Sequence, residues 1–429
     1  MIISVKAGYP YQVMTTNQEQ PMLLRLITFL IICLAILPTQ GSLINEMTLE
    51  EKVGQLLMVH FNGEVANEEA KTLIQQAYVG SIIYYNWANS LHSPEQVRNL
   101  SNSLQALASQ NRIAFPLLIA VDQEGGAVAR LRKGFTEFPG NAALGKSQNP
   151  KLAERCAFAI GRELQAVGVN LNLAPVVDVN SNPLNSIIGT RAFGDSPATV
   201  TRFAKSTLKG YRAAGMITAL KHFPGHGGVE TDSHQDLPVI KKNREELDQT
   251  ELFPFCQLCE QADTIVTAHL LVHALDPVNC TTLSKSSLDL LRTEIGFKGV
   301  IISDSLVMEG LLKNCHSIED AAIRALNAGC DILLLGGKLL DGSHKNLELN
   351  ANDCLKIHRE LLSAIQDGRI TLQRLNEAVQ RILYLKNRYL SRPSNFVSDP
   401  LERHVATEEH RLLADEIATH IYPTLNSTD

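Results

Sequence analysis

A closed barrel of eight strand-helix units, the (β/α)8 TIM barrel of the α/β class, is the fold this sequence predicts, and three observations point to it. Apolar runs that read as strands alternate about eight times with helix-patterned stretches between Thr48 and Tyr389, which means a parallel sheet with its helices packed outside. Neither a GxGxxG fingerprint nor a P-loop occurs, so nothing favours an open doubly wound sheet. Polar residues recur where one strand after another ends, as an active site at the C-terminal face of a barrel requires. The 429 residues are 45% hydrophobic and 20% charged, with a net charge of -6, a balance suited to one large enzyme domain or two small ones. Mild acidity without Lys/Arg blocks argues against a nucleic-acid partner or a polybasic membrane patch.

Taken in order, the elements start with an N-terminal anomaly. Leu26 to Leu37 is a nearly unbroken apolar run with Arg25 before it and the small-residue site Thr39-Gln40-Gly41-Ser42 after it. It is shorter than the about 20 residues that span a bilayer, and it reads as the core of a signal peptide over residues 1–41. The expectation is an exported protein, periplasmic or secreted, that starts near Ser42; the alternative is an uncleaved membrane anchor. The 21 residues before Met22 are either a long leader or a matter of start-codon choice.

Thr48-Leu49-Glu50-Glu51 is a capping-box pattern that opens a short helix, and the apolar run Gln55 to Phe61 follows it. Glu68 to Gln76 is helical in pattern, Ser81 to Tyr85 is a strand, and Ser93 caps a helix that has Pro94 at its first position. Further strands are Leu117 to Val121, Leu171 to Val179, Met216 to Leu220, Thr264 to Leu270, Gly299 to Ser303 and Asp331 to Leu335. Helices at Leu355 to Gln366 and Leu372 to Tyr389 close a single catalytic domain spanning 42–392. The extension 393–429 holds Pro393, Pro400 and a helix from Glu408 to His420.

Eight cysteines show no paired zinc spacing, since Cys256-x-x-Cys259 has no second pair to complete four ligands. That pair falls in the helix-patterned stretch Glu246 to Glu260, which sets the two thiols one turn apart on a helix face. Losing Cys33 with the leader leaves seven, an odd number for a disulfide framework.

The densest chemistry lies in Lys221 to Pro238, which packs three histidines and two aspartates among prolines and glycines. Such a segment is expected to be neither helix nor central strand, and to hang off the C-terminal end of the fifth strand. Asp232 and His234 are two apart, so the carboxylate can accept from one imidazole nitrogen and leave the other to handle a proton. Other strand-end polar groups are Asp122-Gln123-Glu124, His269 and Asp304. Asp178 and Asn180 read as structural, since strand-end Asp and Asn often cap the next helix.

The string KHFPGHG, followed after four residues by Asp232-Ser233-His234 and then by Pro238, resembles the signature of the glycoside hydrolase family 3 β-N-acetylglucosaminidases. That resemblance, which runs from about Thr48 to Arg392, implies a TIM barrel with His234 as general acid/base and Asp232 assisting it. The segment VDQEGGAVAR resembles the family's third-strand sugar-binding segment, which makes Asp122 and Arg130 ligands of sugar hydroxyls. Arg191, within IGTRAFG, and the pair Lys221-His222 match further substrate contacts. The segment IISDSLVMEG resembles the nucleophile segment, with Asp304 as nucleophile. At Ala127 the chain departs from the EGGRV of relatives, which bears on the charge at the pocket rim and on the neighbouring sugar. Too few residues follow the barrel to form the second α/β domain of some relatives, so the acid/base is expected from the loop of His234.

The activity implied is removal of terminal β-linked N-acetylglucosamine, for instance from cell-wall muropeptides, by a retaining mechanism with no metal or cofactor. Three alternatives stand beside it. One is a metal-dependent hydrolase using His222, His226, Asp232 and His234, which lack helical i, i+4 spacing. The others are a non-catalytic sugar-binding protein, which should have lost Asp304 or His234, and a phosphorylase that uses phosphate in place of water.

Overall fold

The computed structural model describes residues 40–229, 237–339, 347–391 and 399–420. They fall into two compact units, one reaching Glu46 and containing the helix Gln40–Glu46, the other running from Met47 onward. The Leu26 to Leu37 run lies outside the described residues, and among those described no helix is long and apolar enough to cross a membrane.

In the second unit, eight short strands form a parallel sheet: β1 (Leu57–Val59), β2 (Ser81–Ile83), β3 (Leu118–Val121), β4 (Leu171–Asn172), β5 (Ile217–Phe223), β6 (Thr264–Thr267), β7 (Val300–Ile302) and β8 (Leu333–Leu334). The spatial order is β7-β6-β5-β4-β3-β2-β1-β8, with β1 and β8 joined at Leu57↔Leu333 and Met58↔Leu334. Between β7 and β8 the pairing is an isolated parallel bridge, Ile302↔Ile332, so the ring is nearly closed. Leu57, Met58, Ile82, Ile119, Ile265 and Ile301 are fully buried, as strands covered on both faces must be.

Each expected strand is present, mostly shorter than its apolar run. The fourth stops at Asn172 because Pro175 has no N–H to give the ladder, and pairing resumes only at a bridge from Val176 to Lys221. The fifth runs further than expected. Lys221, His222 and Phe223 belong to β5 itself, which Pro224 ends, so the start of the histidine-rich segment is central strand after all.

The helices follow their caps. In α1 (Leu49–Gln55) the Thr48 hydroxyl accepts from the Glu51 amide and the Glu51 carboxylate accepts from the Thr48 amide, the reciprocal pair that the sequence signals. In α2 (Glu68–Gln75) and α3 (Pro94–Ala108) the caps are Asn67 and Ser93. Outside the sheet, α4 (Pro150–Ala166) packs on α5 (Pro197–Ala213), where a Cβ on Gly210 would strike the Glu154 carbonyl at 2.1 Å.

One expectation fails here. Glu246 to Glu260 is not a single helix but α6 (Arg244–Gln249), α7 (Phe253–Leu258) and a 3-10 turn at Cys259–Gln261. Pro254 opens α7 as a new helix, and Glu251 between the two turns inward to Lys242. Cys256 is therefore exposed and Cys259 buried, its thiol donating to the Ile295 carbonyl, and the two do not share a face.

The outer layer is completed by α8 (Ile318–Ala328), α9 (Ala351–Gln366) and α10 (Leu372–Leu390). After them α11 (Glu408–Ala418) lies on α4, with His410 Nδ1 2.8 Å from the Glu163 carboxylate and Arg155 paired to Glu416.

Two charged groups sit at the N-terminal end of the barrel. The fully buried Asp331 carboxylate is held by Arg292, Arg374 and Arg381 at 2.5, 3.0 and 3.1 Å. Lys386 on α10 is also buried, donating to Gln55 Oε1 at 2.7 Å and to the Gly80 carbonyl at 2.9 Å. Burial pushes its ammonium down to about 7. The unfolded chain therefore binds more protons than the folded one between pH 7 and the ordinary lysine range, and stability contributed by this group rises with pH across that window. Measured by denaturant unfolding, wild type should gain stability relative to Lys386→Met as pH rises from 7 to 10; a pH-independent difference would show that the native lysine titrates normally.

Candidate active site

At the C-terminal ends of the strands a cavity of about 370 Å³ opens, lined by Asp122, Arg130, Arg191, Lys221, His222 and Asp304 together with Tyr85, Trp87, Met308 and Lys338. Six residues singled out in the sequence thus meet in one space. Asp232 and His234 lie outside the described residues.

The β3 end is shaped by a small hairpin in which Gln123–Gly125 pairs antiparallel with Val128–Ala129. Gly125 and Gly126 have φ of +90° and +61°, and a Cβ on either would strike Pro139 or Gly140, so this turn needs glycine. Gln123 spans the hairpin, exchanging hydrogen bonds with the Leu131 amide and carbonyl at 2.9 and 2.7 Å. This places Arg130, whose guanidinium lies 3.6 Å from the Asp122 carboxylate. Ala127 is exposed at the tip and does not line the cavity; Arg132 donates to the carbonyls of Gly126 and Ala127 there.

From β5, the Lys221 ammonium reaches Asp122 at 2.8 Å and Glu124 at 2.7 Å, and Arg191 grips Glu124 through Nε and Nη2 at 2.9 and 2.8 Å. Burial works against the charge on Asp122 and Glu124, but the Lys221 and Arg191 cations, joined at Asp122 by Arg130, outweigh it and hold both carboxyls below their ordinary range. Burial likewise opposes the charge on Lys221, and the two carboxylates overcome it and raise its pKa. The result is an alternating net of charges, each satisfied by opposites, able to present fixed donors and acceptors to a polyhydroxylated ring.

His222 extends the net. Its Nε2 lies 3.3 Å from Arg191 Nη2, which can only donate, so the ring proton belongs on Nδ1, which donates to Asp178 Oδ2 at 2.7 Å. Asp178 also accepts from the backbone amides of His222 and His226. Burial raises its pKa, and His222 and these hydrogen bonds bring it down to about 2. Asp178 is therefore not a helix cap as expected: it fixes the imidazole of His222. Asn180 does not cap a helix either, and its buried amide oxygen has no hydrogen-bond partner among the described residues.

Asp304 follows β7. Its amide donates to Thr267 Oγ1 at 3.2 Å and its Oδ1 accepts from the Ser305 amide at 2.7 Å. Ser305 is anchored in turn, its hydroxyl donating to the Gly336 carbonyl at 2.6 Å and its carbonyl accepting from His269 Nε2 at 2.9 Å. His269 is thus a fully buried brace behind the nucleophile candidate and not a wall of the cavity.

Sequence reasoning did not assign roles to Glu124, Tyr85, Trp87 or Lys338, and it read Asp178 as structural. Position was the available signal for Tyr85 and Trp87, since both follow a barrel strand at its C-terminal end. Of the alternative metal set His222, His226, Asp232 and His234, the first has Nδ1 committed to Asp178 and the last two lie outside the described residues. Among the described residues no three His, Cys, Asp or Glu side chains cluster as metal ligands would.

Several known proteins are similar to this chain over most of its length. The chain is 33% identical over 377 residues to Beta-hexosaminidase A of Pseudoalteromonas piscicida, an alignment covering 80% of this chain and 61% of that enzyme. It therefore spans less than two thirds of that relative's length. Beta-hexosaminidase of Pseudomonas aeruginosa is 36% identical over 305 residues, covering 70% of this chain and 87% of the enzyme. The solved glycoside hydrolase family 3 beta-N-acetylglucosaminidase from Paenibacillus sp. superposes with a TM-score of 0.81 at 37% identity, over 87% of this chain and 69% of that one. Residues 48–385, which carry the whole barrel and the cavity just described, match the model of the glycosyl hydrolase family 3 N terminal domain, and the chain belongs to that family.

Proposed function

We propose that the protein is a retaining exo-β-N-acetylglucosaminidase that acts from this single barrel domain, with Asp304 as nucleophile and the His234/Asp232 pair as acid/base. The observation that carries the reading is the meeting, in one cavity, of a strand-end carboxylate with Asp122, Lys221, Arg191 and His222, the first three tied into a charge net that Glu124 completes from behind. The net is suited to hold a terminal sugar by its hydroxyls, and Asp304 to attack the anomeric carbon. Protonation of the leaving oxygen then falls to His234, a role supported by family resemblance. The β-hexosaminidase relatives support N-acetylglucosamine as the terminal sugar. Muropeptides remain the natural source proposed.

The test compares aryl β-N-acetylglucosaminide with aryl β-glucoside and β-xyloside. Preference for the first should be on the order of 100-fold or more, because a site built to bond the acetamide penalises its absence. The rate should be independent of inorganic phosphate and unaffected by a chelator. Phosphate-proportional release of sugar 1-phosphate would make the enzyme a phosphorylase, and zinc-reversible loss in chelator would revive the metal alternative.

A further inference from the structure

Trp87, the chain's single tryptophan, is 39% exposed, and it sits at the cavity with Asp304. An aromatic ring that large is normally buried, and one left open beside a polar pocket needs a reason. Nor is this ring loosely placed. Tyr85 stacks on it at 5.0 Å with planes 16° apart, and His60 meets it edge-on at 4.9 Å. The Lys338 ammonium stands 4.6 Å from its centroid while paired to Glu348 at 3.1 Å. The neighbouring Asn86 side chain donates to the Arg130 carbonyl, tying this loop to the hairpin after β3.

Space for the stack is provided from β8. A Cβ on Gly336 would come within 3.0 Å of the Tyr85 ring, and one on Gly337 within 2.9 Å of Ser305 Oγ. The Gly336-Gly337 pair thus lets the chain pass between the aromatic stack and the residue after Asp304. Around the barrel, the charged net comes from β3, β5 and Arg191, whereas Trp87 and Lys338 come from the ends of β2 and β8. The cavity therefore has a hydrogen-bonding part and a partly open aromatic part that adjoin where the Arg130 guanidinium lies over the Tyr85 ring, 5.9 Å from its centroid, and Asp304 lines the same space.

We propose that Trp87 is the platform for the leaving group, stacking against the C–H face of a pyranose ring on the far side of the cleaved bond, with Lys338 donating to that ring's oxygens. This rests on the glycosidase reading above. Stacking on a rigid indole costs little side-chain entropy and favours a ring over an open or small leaving group. Neutral N-acetylglucosamine and a carboxylate-bearing sugar share the ring chemistry; Lys338 is the group that would tell them apart.

The experiment uses the full chain, with Trp87→Ala, Trp87→Phe and Lys338→Met, and two donors. One is the β-1,4-linked disaccharide of N-acetylglucosamine; the other is β-N-acetylglucosaminyl fluoride, whose fluoride leaving group touches no platform. For Trp87→Ala, kcat/KM on the disaccharide should fall about 10- to 100-fold, as loss of one well-packed aromatic anchor typically gives. On the fluoride it should stay within about two-fold, which also shows that the variant is folded. Trp87→Phe should recover part of the loss. The emission of wild type, which arises from Trp87, should shift more on adding a thio-linked disaccharide than on adding the monosaccharide. With a disaccharide whose leaving sugar carries a carboxylate, a selective loss in Lys338→Met would assign the charged sugar as the better fit; equal small losses on both disaccharides would assign the neutral one. Equal loss on both donors in Trp87→Ala, no loss on either, or a silent emission overturns the proposal. Wild type inactive on both donors would instead overturn the glycosidase reading beneath it.

Discussion

Asp304→Ala is expected to lower kcat/KM by on the order of 10⁴-fold or more and to abolish the glycosyl-enzyme, because an attacking carboxylate has no substitute within the net that binds the sugar. The mounting of Asp304 supports this. Its amide is held by Thr267 from β6, while Ser305 beside it is held by His269 and by the Gly336 carbonyl beyond β8. A carboxylate so braced is suited to a fixed attack distance. The competing route uses the substrate's own acetamide oxygen and an adjacent pair of acidic residues, yet Asp304 is flanked by Ser303 and Ser305. A slow-turnover fluorinated N-acetylglucosaminyl donor should add one sugar mass to the peptide containing Asp304. An unlabelled peptide, with strong inhibition by a thiazoline mimic, would assign the acetamide route instead. In the same series, His234→Ala should spare activated aryl substrates far more than natural ones, since a good leaving group needs little protonation.

Lys221→Met should cost stability as well as activity. The ammonium is the shared partner of Asp122 and Glu124, and its removal leaves a half-buried and a buried carboxylate near each other with only the Arg130 and Arg191 contacts. Breaking a buried ionic partner typically costs about 3–5 kcal/mol. The sign of the pH response should also invert. In wild type both carboxyls are held below their ordinary range, so their contribution is present at neutral pH and is lost as pH falls through the folded-state values. In the variant, protonation relieves the repulsion, and stability should rise on mild acidification. Adding Glu124→Gln to Lys221→Met should restore part of the stability and none of the activity. Denaturant unfolding followed from pH 7.5 down through the ordinary carboxyl range decides it: the same pH slope for wild type and Lys221→Met would mean that water or another cation has replaced the lysine.

The barrel was legible because each of its strands is an apolar run between turn signals, and because no dinucleotide or phosphate motif competed. Strand ends were less so, since Pro175 cut β4 short while Lys221 and His222 continued β5 despite their polarity. In the site, the residues that could be read were those within distinctive strings, such as KHFPGHG and ISDS. Glu124 could not be read in this way, although it adjoins Asp122, because its partner Arg191 lies 67 residues away and only folding brings the fork to the carboxylate. Asp178 failed for the same reason: a strand-end aspartate looks like a cap until His222, 44 residues on, is found on its Oδ2. The Cys256/Cys259 helix was misjudged because helical periodicity outweighed the stop that Pro254 imposes.

The seam between β1 and β8 has a consequence for how the protein is made. Leu57 and Met58 hydrogen-bond on one edge with Leu333 and Leu334, strands that leave the ribosome at opposite ends of synthesis. Until β8 arrives, β1 offers an apolar, unpaired edge to any passing chain, for most of the time translation takes. Ring closure is thus a late, long-range event, and a slow one, because the loop entropy of nearly the whole barrel must be overcome before that seam gives anything back. A nascent chain stalled before Leu333 would expose a sticky edge, the form in which chaperone binding and aggregation compete.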